Sequence, residues 1–122
     1  MSTRLEMRRG DTPIWDLAVL DDDGLPFNLT GWTIRMTAKR SIDDPDAQAV
    51  FQLSTSDGTI TITNAPGGLA EMQPLRTSTS TLTVDTNCVW DVQIARNGSP
   101  DETFTVENGV LSIARDVTRT AP

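Results

Sequence analysis

The chain reads as an all-β protein, an immunoglobulin-like antiparallel β-sandwich, on three observations. Its clearest periodic segment, residues 31–39, places Trp32, Ile34, Met36 and Ala38 on one face and Thr33, Arg35, Thr37 and Lys39 on the other, which is the period of two of a half-buried strand. Turn chemistry rich in Asp, Asn, Gly and Pro recurs at intervals of about 8 to 14 residues, dividing the chain into about eight or nine short strands. No segment carries the apolar stripe of a packed helix. One domain spanning 1–122 accounts for a chain of 122 residues, a size at which folding buries roughly two-thirds of the unfolded surface.

The elements follow in order. Residues 3–9 carry Leu5 and Met7 in phase, and residues 13–20 carry Trp15, Leu17 and Val19 in phase, with a joint around Gly10. Residues 2–9 form an N-terminal edge strand or arm. Asp21-Asp22-Asp23-Gly24 begins a turn, the alternating strand follows, and an acidic loop broken by Pro45 leads into a strand over 48–53. A turn over 54–58 and the Asn64-Ala65-Pro66-Gly67-Gly68 punctuation frame a hairpin of 59–63 and 69–73. Residues 74–82, rich in Ser and Thr, form a crossover loop with room for one helical turn. Cys88, Trp90, Val92 and Ile94 line one face of a central strand, and Asn97-Gly98-Ser99-Pro100 turns it. Two closing strands, 102–106 and 110–116, are separated by Asn108-Gly109, and 117–122 form a C-terminal tail.

Composition removes several function classes. The net charge of −7, from 17 acidic and 10 basic residues, argues against nucleic acid as a partner, because phosphate binding rests on clustered Lys and Arg. No apolar run is long enough to span a membrane or to act as a secretory signal, which places synthesis in the cytoplasm. The chain has no histidine, so His-dependent triads and imidazole acid–base chemistry are absent. Cys88, the one cysteine, falls in phase with apolar neighbours and reads as a buried thiol.

Neither a catalytic residue, a cofactor site nor a metal site emerges. The acidic clusters at 21–23 and 43–46 lie in turns, where Asp satisfies local backbone donors, and their spacing is not that of a calcium loop. Arg9-Gly10-Asp11 and the sequons at Asn28 and Asn97 are ordinary turn chemistry in this setting. The three tryptophans share register with aliphatic residues, which turns them toward the core and leaves few aromatics for a sugar platform.

Three segments, taken in order, carry a family resemblance. They are Arg9-Gly10-Asp11-Thr12 entering an apolar strand, Asp23-Gly24-Leu25-Pro26-Phe27-Asn28-Leu29-Thr30-Gly31-Trp32-Thr33-Ile34, and Glu107-Asn108-Gly109-Val110-Leu111-Ser112-Ile113-Ala114-Arg115-Asp116-Val117-Thr118-Arg119. Together they resemble a family of small bacteriophage structural domains that includes the N-terminal domain of the siphophage baseplate upper protein. The resemblance implies a β-sandwich located in the virion that mounts other components on a phage tail, without catalytic residues. The expected partners are other virion proteins and copies of the chain itself in a homo-oligomer of the tail, baseplate or head-to-tail region. A capsid decoration protein is the nearest alternative, and a carbohydrate-binding module reading a host glycan the next.

The expected assembly surface is the pair of chain ends. Leu5 and Met7 are apolar positions in a basic terminal strand, Arg4, Arg8 and Arg9 form a positive segment on an acidic protein, and Arg119 adds to it from the tail. An open sheet edge beside them leaves backbone donors that a second chain can satisfy by strand addition.

Overall fold

The computed structural model describes residues 2–116. Its eight strands are β1 (Ser2–Arg8), β2 (Trp15–Ala18), β3 (Trp32–Lys39), β4 (Phe51–Ser54), β5 (Ile60–Asn64), β6 (Leu69–Met72), β7 (Thr86–Arg96) and β8 (Ser99–Ala114), with one helical turn, α1 (Arg76–Thr79), between β6 and β7. They form a five-stranded sheet in the order β1-β8-β7-β3-β4 and a three-stranded sheet in the order β2-β6-β5. This is the all-β sandwich that the alternation predicts.

The core lies where the two inner faces meet. Ile34, Met36 and Ala38 of β3, Cys88, Trp90, Val92 and Ile94 of β7, and Leu111 and Ile113 of β8 are buried against Leu17, Ile60, Ala70 and Met72 of the small sheet. Every second residue of β3 and β7 is therefore inside, because one face of each strand covers the core and the other meets water. The backbone packs closely just before β6 at Gly68, which has φ +69° and sits where a Cβ would lie 2.5 Å from the Val19 carbonyl oxygen just after β2. Only glycine fits that approach.

Several expectations are corrected. Residues 102–106 and 110–116 are not separate strands: β8 runs without a turn through Asn108-Gly109. Its pairing with β7 shifts by one residue between Val92↔Glu107 and Gln93↔Thr105, so Val106 is the extra residue of a β-bulge, which absorbs the irregularity a turn was expected to make. The sandwich is not wholly antiparallel. β1 pairs with β8 in parallel, from Ser2↔Asn108 to Arg8↔Ala114. Trp90 is buried, but Trp15 and Trp32 are only partly so; each is the first residue of its strand, at the rim where the facing sheet no longer covers it.

Smaller differences lie at strand ends. The strand expected over 48–53 begins at Phe51, because Asp46–Gln48 form a 3-10 turn after Pro45. The Asp21 turn is as expected: its Oδ1 accepts the Asp23 and Leu25 amide protons at 2.9 Å each, and Gly24 supplies φ +79°.

Candidate functional site

The N-terminal segment expected to reach a neighbour is docked on its own chain. In the β1–β8 register Leu5 stands beside Leu111 and Met7 beside Ile113, both core residues, and Met7 is 7% exposed while Leu5 packs against the core. These apolar positions complete the protein's own interior. Arg9 is likewise engaged: its Nη2 lies 2.7 Å from Asp116 Oδ1, and its Nη1 donates to the Leu82 carbonyl. The hydrogen bond from Arg9 holds the Asp116 carboxyl below its ordinary pKa. Next to it the Gly10 amide donates to Thr79 Oγ1 of α1 at 2.7 Å, a bond formed out of water.

What remains outside is narrower than expected. Arg4 is exposed and pairs with Glu6 at 3.2 Å, and Arg8 donates to the Arg115 carbonyl at 3.1 Å. Arg119 lies outside the described residues. β1 is the first strand of its sheet, and its far side has no neighbouring strand among the described residues.

β8 extends the edge further. β1 begins opposite Asn108, so β8 from Ser99 to Glu107 has β7 on one side and no described strand on the other. Phe104 lies on this stretch and is 54% exposed. Its ring is 5.9 Å from that of Trp32, which in turn meets Phe27 edge-on at 5.2 Å, making an aromatic row that ends in water. Glu102 on the same stretch pairs with Arg96 at 3.1 Å.

A second feature occupies the outer face of the large sheet. There β3, β7 and β8 floor a groove of about 580 Å3, bordered by Ile42 and Asp46 of the loop after β3. Alternation places Arg35, Thr37 and Lys39 of β3 on this face with Asp91 and Gln93 of β7 and Thr105 and Asn108 of β8. Lys39 Nζ binds Asp46 Oδ1 at 2.8 Å, and that hydrogen bond and charge hold the Asp46 carboxyl below its usual pKa. Asp91 is shifted the other way: burial pushes its carboxyl up, against the pull of Lys39 and with the repulsion of Asp46. The lining includes neither serine, cysteine nor histidine. The groups present are suited to accepting and donating hydrogen bonds.

Sequence reasoning missed this groove. Asp91, Thr37 and Asn108 lie in one cross-strand row, Thr37↔Asp91↔Asn108, and only the register of β7 against two neighbours brings them together. The one available signal was the polar phase of the central strand, which marks an outward face without saying what lies beside it. Elsewhere no three residues of His, Cys, Asp or Glu come together as a metal site among the described residues. Cys88 is buried, and burial pushes its thiol up to about 11. No protein-family model matches the chain, and no curated protein matches it.

Proposed function

We propose that the protein is a non-enzymatic structural subunit of a bacteriophage virion, an assembly or attachment module of the tail, baseplate or head-to-tail region. The observation that carries this reading is the extended edge: β8 stands beyond the start of β1 with Phe104 exposed at its open flank. Backbone donors and acceptors on such an edge favour an added strand, and an aromatic anchor beside them adds apolar contact. The ordered resemblance of the chain to phage structural domains supports the same reading.

This reading moves the joining surface. Leu5, Met7 and Arg9 serve the protein's own fold, so a neighbour meets the outer side of β1, where Arg4 is exposed, and the open stretch of β8. The test is mass spectrometry of purified virions together with electron microscopy of particles carrying a tagged copy. A protein absent from virions overturns the proposal. Phe104→Glu is expected to reduce incorporation while leaving the folded domain intact, because Phe104 is exposed in the lone domain.

A further inference from the structure

Two side chains at the centre of the outer-face groove have no hydrogen-bond partner among the described residues. Asp91 and Asn108 stand opposite one another across β7 and β8, and neither the carboxylate nor the amide is satisfied within the protein. Asp91 is nonetheless partly buried. Asn108 is exposed and no side-chain polar atom here is buried without a partner, so both groups are free to exchange water for a ligand that supplies hydroxyl groups.

The surroundings define the ligand's charge and shape. Two cations, Arg35 and Lys39, and two carboxylates, Asp46 and Asp91, line the groove, and Lys39 is held by Asp46 at 2.8 Å, so the groove offers no net positive charge to a phosphate or a polyanion. Thr37 continues the row on the other side of Asp91. Neighbouring strands lie about 5 Å apart, which is close to the length of one pyranose unit, so a linear sugar chain crossing the strands presents successive rings to Asn108, Asp91 and Thr37. Val110 and Ile42 are exposed at the groove's border, at 45% and 81%, and give aliphatic surface for the C–H faces of the rings.

We propose that this groove binds a neutral, linear pyranose oligosaccharide, with Asn108 and Asp91 holding hydroxyls of successive rings. Asp91 accepts from the hydroxyls, and the Asn108 amide both donates and accepts. The site is independent of the assembly edge and of the proposed place in a virion. It also differs from an aromatic platform, since Trp90 at the groove is buried with its indole bound to the Val110 carbonyl, and Trp15 and Trp32 are not part of the lining.

The experiment is two-dimensional NMR of the isotope-labelled protein titrated with cellotetraose, maltotetraose and chitotetraose, with an oligogalacturonate of equal length as the charged comparison. At least one neutral tetrasaccharide is expected to shift the Asn108 side-chain amide and the backbone signals of Asp91 and Thr37, with oligogalacturonate inactive. Asn108→Ala and Asp91→Ala should each weaken that binding by about three- to tenfold, as the loss of one or two hydrogen bonds does. Both positions lie on the outer face, and unchanged signals from core residues will show that the variants fold. Silence from all three neutral probes, binding of oligogalacturonate alone, or full affinity in both variants overturns the assignment.

Discussion

Trp90 lies directly opposite Gly109 in the β7–β8 register, and its indole Nε1 donates to the Val110 carbonyl at 3.0 Å. A glycine beside a tryptophan on the inner face leaves room for the indole to lie across the neighbouring strand. Trp90 thereby fixes β8 at the point where the local sequence reads as a turn. Trp90→Ala should destabilise the protein by about 3 to 5 kcal/mol, as truncation of a buried aromatic does. Trp90→Phe keeps most of the packing but orphans the carbonyl contact, so about 1 kcal/mol of its loss belongs to the hydrogen bond. Denaturant unfolding of both variants checks the order of the two effects.

Asp91→Asn should raise the melting temperature at neutral pH. Burial raises the carboxyl's folded-state pKa above its ordinary value of 3.8, so the folded protein takes up the proton more readily than the unfolded chain. The Asp91 contribution to stability is therefore fully present below that ordinary value and is lost as pH rises through the folded-state pKa. The advantage of the Asn variant should appear over that interval and vanish in stronger acid. Thermal scans across acid to neutral pH test this, and an advantage that grows on acidification contradicts it.

Arg9→Met should lower the melting temperature and do so most at neutral pH. The substitution removes the bond to the Leu82 carbonyl and the pairing with Asp116. Because Arg9 depresses the Asp116 pKa, the stability from that pairing is present above the ordinary value and fades as pH falls through the folded one. The difference between variant and parent should narrow in acid without closing, since the carbonyl bond does not titrate there. Arg4→Met, which loses only an exposed pair, should change stability by less than about 1 kcal/mol.

The Cys88 thiol should resist modification in the folded state. It is buried, and its pKa of about 11 leaves little thiolate at neutral pH. A disulfide reagent should react at the rate of global unfolding and speed up in denaturant. Prompt labelling under native conditions contradicts the burial.

Alternation was legible wherever a strand covers the core with one face, as in β3 and β7, because the inward phase of Ile34, Met36, Val92 and Ile94 has one stable solution. Asn108-Gly109 was not legible, since the same dipeptide serves a hairpin turn and a strand facing a large side chain, and only the position of Trp90 separates the two. The direction of β1 was equally hidden: Leu5 and Met7 face inward in either orientation, and the parallel choice depends on β8 being long enough to receive it. The candidate groove depended on cross-strand neighbours far apart in sequence. Arg9 looked like surface charge because its partners, Leu82 and Asp116, lie at distant points of the chain.

The parallel pairing of β1 and β8 has a mechanical consequence. The chain enters β1 at Ser2, beside the middle of β8, and leaves β8 past Ala114, beside the far end of β1. Tension applied between residue 2 and residue 116 therefore pulls the two strands along their length in opposite directions. The inter-strand backbone bonds from Ser2↔Asn108 to Arg8↔Ala114 then carry the load together, whereas an antiparallel pair pulled from one end opens one bond at a time. A domain strung through these two points resists stretching in shear, with the Arg9 to Asp116 contact at 2.7 Å bridging the chain just beyond both strands.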